Sequence, residues 1–344
     1  MKKKADLPAT GLRRSDRIRE RTESAFSSTT TIFENLGNED PTTPIPPARK
    51  TRNSTRTKTS SPPTIKSNKR SKSTKTTKRK KQDSQSCLPR TRELELLQNY
   101  SETDLLHIMG IDEAGRGPLA GPVVAAAVLS MEDIPGITDS KKITKETDRE
   151  ALFQLILKSP KMYWAAVIID AQRIDEINIL QATLEAMSYA AKGVMGLYGS
   201  HKMEKEDLPC TPFSLKNGVQ LQDGCYILTS PNVPKSNSSK QNFHALIDGN
   251  KIPKTMPCPS ESIVKGDSKE YSIGAASIIA KVIRDQLMHL YHDEYPEYNL
   301  QQHKGYPTAA HMQAVRKFGA SPIHRRTFAP LKHLDLDEDG KIID

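Results

Sequence analysis

The sequence has few cysteines, and they follow none of the patterns that would give them a structural role. The chain contains four, Cys87, Cys210, Cys225 and Cys258, and no two of them form a C-x-x-C pair. No histidine cluster has the spacing of a zinc site either. The sequence therefore argues against a zinc ribbon and against a disulfide-stabilised scaffold. We expect the protein to work in a reducing compartment.

Long apolar runs are also lacking. The longest run, Val123 to Leu129, suits one buried strand and falls far short of the ~20 residues that a membrane span needs. The N-terminus is charged but has no apolar core of the kind found in secretory signals. We therefore expect no membrane partner and no secretory signal.

Positive charge is concentrated in one part of the chain. Residues 1–92 contain 24 Lys and Arg but only 8 Asp and Glu, a net charge of +16. The whole chain carries +10, so residues 93–344 carry −6. A nucleic-acid site on this acidic body would have to be a local basic patch, because the body as a whole would repel phosphates.

Residues 1–92 are predicted to be a disordered basic tail. Their apolar residues are sparse and aperiodic, so burial cannot offset the entropy of ordering. Two basic clusters, one between Arg13 and Arg21 and one between Lys78 and Lys81, are typical of a nuclear import signal or a phosphate-binding arm, with a solvated spacer as the alternative. We expect the nucleus, with the mitochondrion as alternative because the N-terminus is rich in Arg and Ser.

Apolar periodicity begins near Leu105 and indicates a folded domain over 105–332. It predicts strands at 107–112, 122–129, 163–169 and 243–247. It predicts helices at 144–158, 177–194, 274–290 and 308–318, the first capped by Thr144 and the second by Asp175. Strands come first and helices dominate the end, which favours an α/β fold with a mixed sheet and a helical C-terminal part.

Two segments lack this periodicity. Residues 200–242 are predicted to be an inserted surface loop, because long insertions cost little closure entropy. Residues 333–344 are predicted to be an acidic C-terminal end.

Acidic residues occur at the ends of predicted strands. Asp112 and Glu113 lie in GIDEAGRG, Asp248 in IDGN and Asp267 in VKGDSK. Each alone could be an ordinary turn or cap residue. Together they would repel one another unless a cation were present, and hard oxygen ligands suit Mg²⁺ or Mn²⁺. Two such ions can support phosphodiester hydrolysis.

The glycines after these acids allow one other interpretation. Residues 115–120 match the G-x-G-x-x-A pattern of dinucleotide-binding folds. We reject it because Pro118 and Pro122 interrupt the required helix and a strand follows instead. Asp112 and Glu113 would also repel a pyrophosphate.

Seven ordered segments resemble ribonuclease HII, and together they are highly specific. They cover about 105–332 except the insertion, and the HKGYPT form is closer to bacterial-type enzymes. The segments are GIDEAGRGPLAGPVVAAAV, DSKKIT, IDEINILQAT, LIDGNKIP, VKGDSKEYSIGAASIIAKVIRD, HKGYPT and HRRTF.

The resemblance implies a ribonuclease H-like fold with a central five-stranded mixed sheet flanked by helices. It assigns the binding of Mg²⁺ or Mn²⁺ to four carboxylates: Asp112, Glu113, Asp248 and Asp267. It assigns recognition of a ribonucleotide 2′-OH to the backbone of Gly115, Arg116 and Gly117 together with Tyr306. Glycines allow close backbone approach, and the 2′-OH distinguishes RNA from DNA.

The resemblance also indicates contacts to the phosphate backbone of the duplex. They would come from Ser140, Lys141 and Lys142 in the DSKK turn and from Arg325 and Arg326 in HRRTF. Solvated surface charge is the alternative interpretation of these residues.

The implied activity is hydrolysis of the phosphodiester 5′ of a ribonucleotide, leaving 3′-OH and 5′-phosphate ends. Substrates would be RNA–DNA hybrids and DNA with embedded ribonucleotides, and the role ribonucleotide removal and RNA-primer processing. We expect a monomeric catalytic core. The alternatives are a catalytically inactive nucleic-acid-binding relative and a two-metal integrase or resolvase on the same fold.

Overall fold

The centre of the fold is a sheet whose inner strands are apolar on both faces. The computed structural model describes residues 87–99, 106–139, 142–197, 214–215, 218–230, 242–337 and 339–343. Strands β1 (Leu106–Ala114), β2 (Val123–Ser130) and β3 (Met162–Ile169) are buried over nearly their whole length. Such continuously apolar strands require cover on both sides of the sheet.

The sheet is mixed and wider than predicted. The other strands are β4 (Ser214–Leu215), β5 (Gly218–Gln222), β6 (Cys225–Thr229), β7 (Asn242–Asp248) and β8 (Ser260–Ile263). In the described part of the chain eight strands follow the order β4-β5-β6-β3-β2-β1-β7-β8. Strand β1 is antiparallel to β2 and parallel to β7, which is parallel to β8. The α/β class with a mixed sheet is confirmed, with more than the five strands expected.

Helices cover both faces of this sheet. They are α1 (Thr91–Gln98), α2 (Glu146–Lys158), α3 (Ala171–Ile177), α4 (Ile179–Val194), α5 (Tyr271–Glu294), α6 (Leu300–His303) and α7 (Ala309–Phe318). Successive side chains of a strand point to opposite faces. Thus Val124 and Ala126 of β2 share a core with α5, whereas Val123 and Ala125 share one with α4.

Both predicted helix caps are wrong. Helix α2 starts after Lys145, without a side-chain cap, and not after Thr144. The predicted second helix is two helices separated by Asn178, which adopts a positive φ of 67° and caps α4 with its side chain. Asp175 lies inside α3, where its carboxylate accepts hydrogen bonds from the backbone N–H groups of Arg326 and Thr327.

The folded part begins before the predicted boundary at residue 92. Helix α1 follows an extended segment in which the N–H of Leu88 donates to the carbonyl of Ile137. The Pro89 carbonyl accepts from the N–H of Tyr271, at the start of α5. Residues 87–92 therefore belong to the fold, and the tail prediction is wrong for them. Residues 1–86 lie outside the described residues.

The predicted insertion contains three strands of the sheet, β4, β5 and β6. Strand β6 pairs antiparallel with β3, and β5 pairs with β6. The loop prediction is therefore wrong for residues 214–215 and 218–229, while 198–213, 216–217 and 231–241 lie outside the described residues. At the C-terminus, the N–H of Ala320 donates to the Gly340 carbonyl, so this end packs against the turn after α7.

None of the helices in the described ranges is long and apolar enough to cross a bilayer.

Candidate active site

Two carboxylates lie at the same edge of the sheet, on neighbouring strands. Strands β1 and β7 run parallel with Ile111 paired to Ile247, so Asp112 and Asp248 follow at matching positions. Asp112 is only 5% exposed. Its carboxylate accepts hydrogen bonds from the N–H of Glu113 and the hydroxyl of Ser277 on α5. As expected from the sequence, Asp112 and Asp248 lie near the ends of strands, and these two strands are neighbours in the sheet.

These carboxylates repel one another. Burial raises the pKa of Asp112 well above its usual range, and the charges of Glu113 and Asp248 add to this effect. Burial also raises the pKa of Glu113, with a further contribution from Asp248, although the nearby Arg116 lowers it. The Arg116 Nη1 lies 3.1 Å from Glu113 Oε1. The charge of Asp248 therefore acts on both Asp112 and Glu113 across the ends of two strands.

A short 3₁₀ turn brings Asp267 next to this group. Lys265 adopts a left-handed conformation, φ 57°, and leads into the turn Gly266–Ser268. The N–H of Gly266 donates to Asp248 Oδ1 over 2.6 Å, which ties the turn to the end of β7. Asp267 follows directly and is 3% exposed. Asp267 therefore lies one residue from the backbone N–H that binds Asp248.

The donor chemistry of this group fits a hard divalent cation. All four side chains offer carboxylate oxygens, and a cation would offset the repulsion among Asp112, Glu113 and Asp248. Among the described residues, no three Asp, Glu, His or Cys side chains are already arranged as a ligand cage. The interactions among Asp112, Glu113 and Asp248 are therefore the part of the donor set that the structure brings together.

The Gly115–Gly117 loop is held on its buried side by Arg325. This guanidinium, which is 0% exposed, donates to the carbonyls of Gly115 (2.7 Å), Arg116 (3.2 Å), Pro118 (2.8 Å) and Gly121 (2.9 Å). Its burial is the main reason that its pKa falls to about 9. The predicted phosphate contact of Arg325 is wrong, because a buried side chain cannot reach a duplex.

A second buried guanidinium, missed from the sequence, supports the same loop. Arg284 of α5 donates to the carbonyls of Pro122 (3.1 Å), Ala120 (3.3 Å) and Lys304 (2.9 Å). A Cβ added at Gly115, where φ is +97°, would collide with this side chain. The sequence offered one sign of this, because Arg284 lies four residues after Ala280 and four before Met288 and so shares a helix face with apolar residues.

Tyr306 lies beside the glycine loop with its ring in solvent. Its side chain is 49% exposed, and a Cβ built on Gly117 would be 3.5 Å from the Tyr306 Cε1 atom. The neighbouring Gly305 carbonyl accepts from the N–H of Leu119 over 2.8 Å, which joins the two loops. The structure therefore brings Tyr306 to the loop that the sequence assigned to the same function.

The other predicted phosphate contacts lie apart from this centre or outside the described residues. Ser140 and Lys141 are outside the described residues. Lys142 is an exposed side chain 3.8 Å from the Asp139 carboxylate. Arg326 is half-buried and donates to the Asp337 carbonyl. Phosphate contact by Lys142 and Arg326 stays a prediction.

Comparisons with known proteins agree with this geometry. A family model described as Ribonuclease HII matches residues 109–203 and 200–331. The chain is 40% identical over 235 residues to a Ribonuclease HII of Xanthomonas oryzae pv. oryzae, covering 67% of this chain and 75% of the relative. It is 42% identical over 230 residues to a Ribonuclease HII of Francisella tularensis subsp. novicida, covering 66% of this chain and 98% of the relative.

Among solved structures, the chain is similar to the ribonuclease H2 from Pyrococcus horikoshii OT3. Sequence identity is 21%, the match covers 66% of this chain and 95% of that one, and the TM-score is 0.44.

The localisation predicted from the basic clusters is wrong. The matched relatives come from bacteria, among them Xanthomonas, Francisella and Maricaulis, which points to a bacterial protein and away from a nucleus. Basic clusters report only charge, and charge alone does not distinguish an import signal from other uses of a cationic segment.

Proposed function

The chain belongs to the ribonuclease HII family, and on this basis we propose that it hydrolyses the phosphodiester on the 5′ side of ribonucleotides. It is a metal-dependent endonuclease that acts on ribonucleotide strands. The proposed substrates are RNA–DNA hybrids and duplex DNA with embedded ribonucleotides. The proposed products carry 3′-OH and 5′-phosphate ends, and the role is removal of ribonucleotides and processing of RNA primers.

The four carboxylates would hold the divalent metal. Asp112, Glu113 and Asp248 on β1 and β7, with Asp267 in the 3₁₀ turn, would provide oxygen donors, and Mg²⁺ or Mn²⁺ matches such donors. Two such ions, when bound, would supply an activated water and a stabilised leaving oxygen. The Ser277 hydroxyl and the N–H of Gly266 hold the Asp112 and Asp248 carboxylates in place.

The loop beside the carboxylates would read the 2′-OH with its backbone. In a trans peptide the carbonyl and the following N–H point in opposite directions. Arg325 holds the carbonyls of Gly115 and Arg116 on the buried side. The N–H groups of Arg116 and Gly117 therefore point away from Arg325, and both residues are exposed. Donors in that position can bind a ribose hydroxyl while the Tyr306 ring packs on the sugar.

The observation that carries this proposal is the adjacency of two features. Buried, mutually repelling acids lie directly before an exposed glycine loop with an exposed tyrosine beside it. A two-metal nuclease that ignores ribose would need the acids alone. The loop and Tyr306 favour an enzyme that recognises a ribonucleotide at the cleavage point.

The test is hydrolysis of an end-labelled DNA duplex with one embedded ribonucleotide, with Mg²⁺ or with EDTA. We expect one cut 5′ of the ribonucleotide with Mg²⁺ and none with EDTA. Asp112→Asn should lower kcat by ~10²-fold or more, because it removes one essential charge, while Glu176→Gln, on an exposed side chain, serves as the matched control.

Two outcomes would contradict the proposal. Cutting of the same duplex without the ribonucleotide would favour an integrase-like enzyme. Tight duplex binding without any cutting would favour an inactive relative.

A further inference from the structure

Three histidines, His303, His311 and His324, form a cluster that contacts the backbone of Tyr306. None of them has a role in the proposed chemistry. His303 stacks on His311 with ring centroids 4.4 Å apart. His311 is 0% exposed and His324 is 2% exposed. The Nε2 atoms of His311 and His324 lie 3.0 Å apart, and the Nδ1 of His311 lies 2.9 Å from the Tyr306 carbonyl oxygen.

The hydrogen-bond partners fix which nitrogen of each ring carries the proton. A carbonyl oxygen can only accept, so His311 Nδ1 donates to Tyr306 and its Nε2 is left as an acceptor. At the other end, His324 Nδ1 accepts from the N–H of Ser321 over 3.0 Å. His324 Nε2 must then donate to His311 Nε2. One directed chain of hydrogen bonds runs from Ser321 through both rings to the Tyr306 carbonyl.

Both rings stay neutral at the pH where the enzyme would work. Burial lowers the pKa of His311 to about 4, with a smaller contribution from His303. Burial, followed by the neighbouring His311, lowers the pKa of His324 to about 3. The chain therefore keeps a single pattern of donors and acceptors and does not act as a proton store.

The hydrogen-bond chain begins next to the arginine that holds the glycine loop. Arg325 follows His324 directly and binds the carbonyls of Gly115 and Arg116. One short segment, Ser321–Arg325, thus contacts both of the parts that face the 2′-OH. Its arginine holds the loop, and its histidine holds Tyr306 through His311. The Tyr306 carbonyl accepts one other hydrogen bond, from the N–H of Thr308.

We propose that His311 and His324 are positioning residues that set the distance between Tyr306 and the Gly115–Gly117 loop, and thereby the recognition of a single ribonucleotide. The inference rests on the proposed function and deepens it. A single embedded ribonucleotide offers one 2′-OH to fix the register, whereas a long hybrid offers many. Loss of the chain should therefore reduce cleavage of the first substrate more than of the second.

Substitution by asparagine or by glutamine tests the two nitrogens of each imidazole ring separately. The asparagine amide lies near the position of Nδ1, and the glutamine amide lies near that of Nε2. His311→Asn can still donate to Tyr306, whereas His311→Gln cannot. At the next ring the order reverses, because His324→Gln can still donate to His311 and His324→Asn cannot.

The experiment compares kcat/KM for a duplex with one ribonucleotide and for a long hybrid, along with the melting temperature of each variant. We expect His311→Gln and His324→Asn to lower the ratio of the two kcat/KM values by about five- to tenfold, the usual range for one hydrogen bond. His311→Asn and His324→Gln should stay within about twofold of the wild type. Tyr298→Phe is the matched control, since it removes a hydrogen bond to the Gly319 carbonyl in the same cluster.

The outcomes separate the two proposals. A wild-type enzyme that cuts neither substrate overturns the proposed function and this inference with it. A wild-type enzyme that cuts both, with equal ratios for Asn and Gln at each position, overturns the inference alone. If one pair fails to fold, the other decides. If neither pair folds, the histidines are needed for folding and the positioning role is rejected.

Discussion

At the scale of single residues, the arginines behave least like the sequence suggests. Arg284 and Arg325 are both buried, and their hydrogen bonds go to backbone carbonyls and not to acids. Burial lowers the pKa of Arg284 to about 10, so the cost of desolvation is visible in both residues. Each carbonyl that they bind would otherwise be a buried acceptor without a donor. These arginines therefore stabilise irregular backbone where no helix or strand can.

Arg325→Lys should destabilise the protein and weaken catalysis together. A lysine keeps the charge but offers one ammonium in place of a planar fork, so it cannot bind four separated carbonyls. Each buried carbonyl left without a donor costs about 1–3 kcal/mol. We expect the free energy of unfolding, measured by urea denaturation, to fall by about 2 kcal/mol or more. The half-buried Arg326→Lys is the control, and equal denaturation midpoints for the two variants would contradict the role of Arg325.

The carboxylates could be predicted from the sequence, and the arginine roles could not. Asp112 and Asp248 each end a short apolar run, so their place at a sheet edge follows from local pattern. Arg325 lies in a run of cationic residues that resembles an exposed patch, and only tertiary packing shows that its side chain turns inward. The same limit applies to His311 and His324, whose pairing joins α7 to the segment after it.

At the scale of elements, the sequence did not predict strands β5 and β6 or helix α1. Gly218–Gln222 and Cys225–Thr229 flank an Asp-Gly dipeptide, a standard hairpin turn, with Leu221, Cys225 and Ile227 buried. That pattern was available in the sequence but was obscured by the irregular residues on both sides of it. Helix α1 was missed for a different reason. Its eight residues include only three leucines, of which Leu96 alone is buried, and its other contacts are mostly polar.

Helix α1 should contribute to the stability of α5. The Glu93 carboxylate accepts from the N–H of Ser272 in the first turn of α5, and Glu270 accepts from the N–H of Arg92. Arg92 also forms a 2.7 Å ion pair with Glu261 of β8. A protein starting at residue 87 should melt like the full chain. One starting at residue 99 should melt roughly 5 °C lower or more, since about 2 kcal/mol of contacts is lost.

Calorimetry on the two truncated proteins checks this expectation. A third variant, Leu94→Ala, changes an exposed side chain of the same helix and should not lower the melting temperature. Equal melting temperatures for the proteins starting at 87 and at 99 would show that α1 adds nothing to the fold.

At the scale of the whole molecule, charge separates the tail from the body. Residues 1–86 contain 22 Lys and Arg and 8 Asp and Glu, a net charge of +14, so residues 87–344 carry −4. Four acids of the body are assigned to the proposed cleavage site, and a negatively charged duplex approaching that site would be repelled by them. A linked segment of the opposite charge can offset this repulsion by releasing counterions from the nucleic acid.

Removing residues 1–86 should therefore weaken duplex binding at low salt and leave the chemistry intact. Affinity gained by counterion release falls steeply as salt rises, because exposed charges are screened over ~10 Å at 0.1 M. The protein starting at residue 87 should show a shallower slope of log K against log salt. Its kcat at saturating substrate should match that of the full chain, and the two affinities should converge at high salt. The measurement is a salt titration of duplex binding for both proteins in EDTA, which prevents cleavage. Identical slopes would mean that the tail does not contact the substrate, and a large loss of kcat would mean that it helps to build the active site.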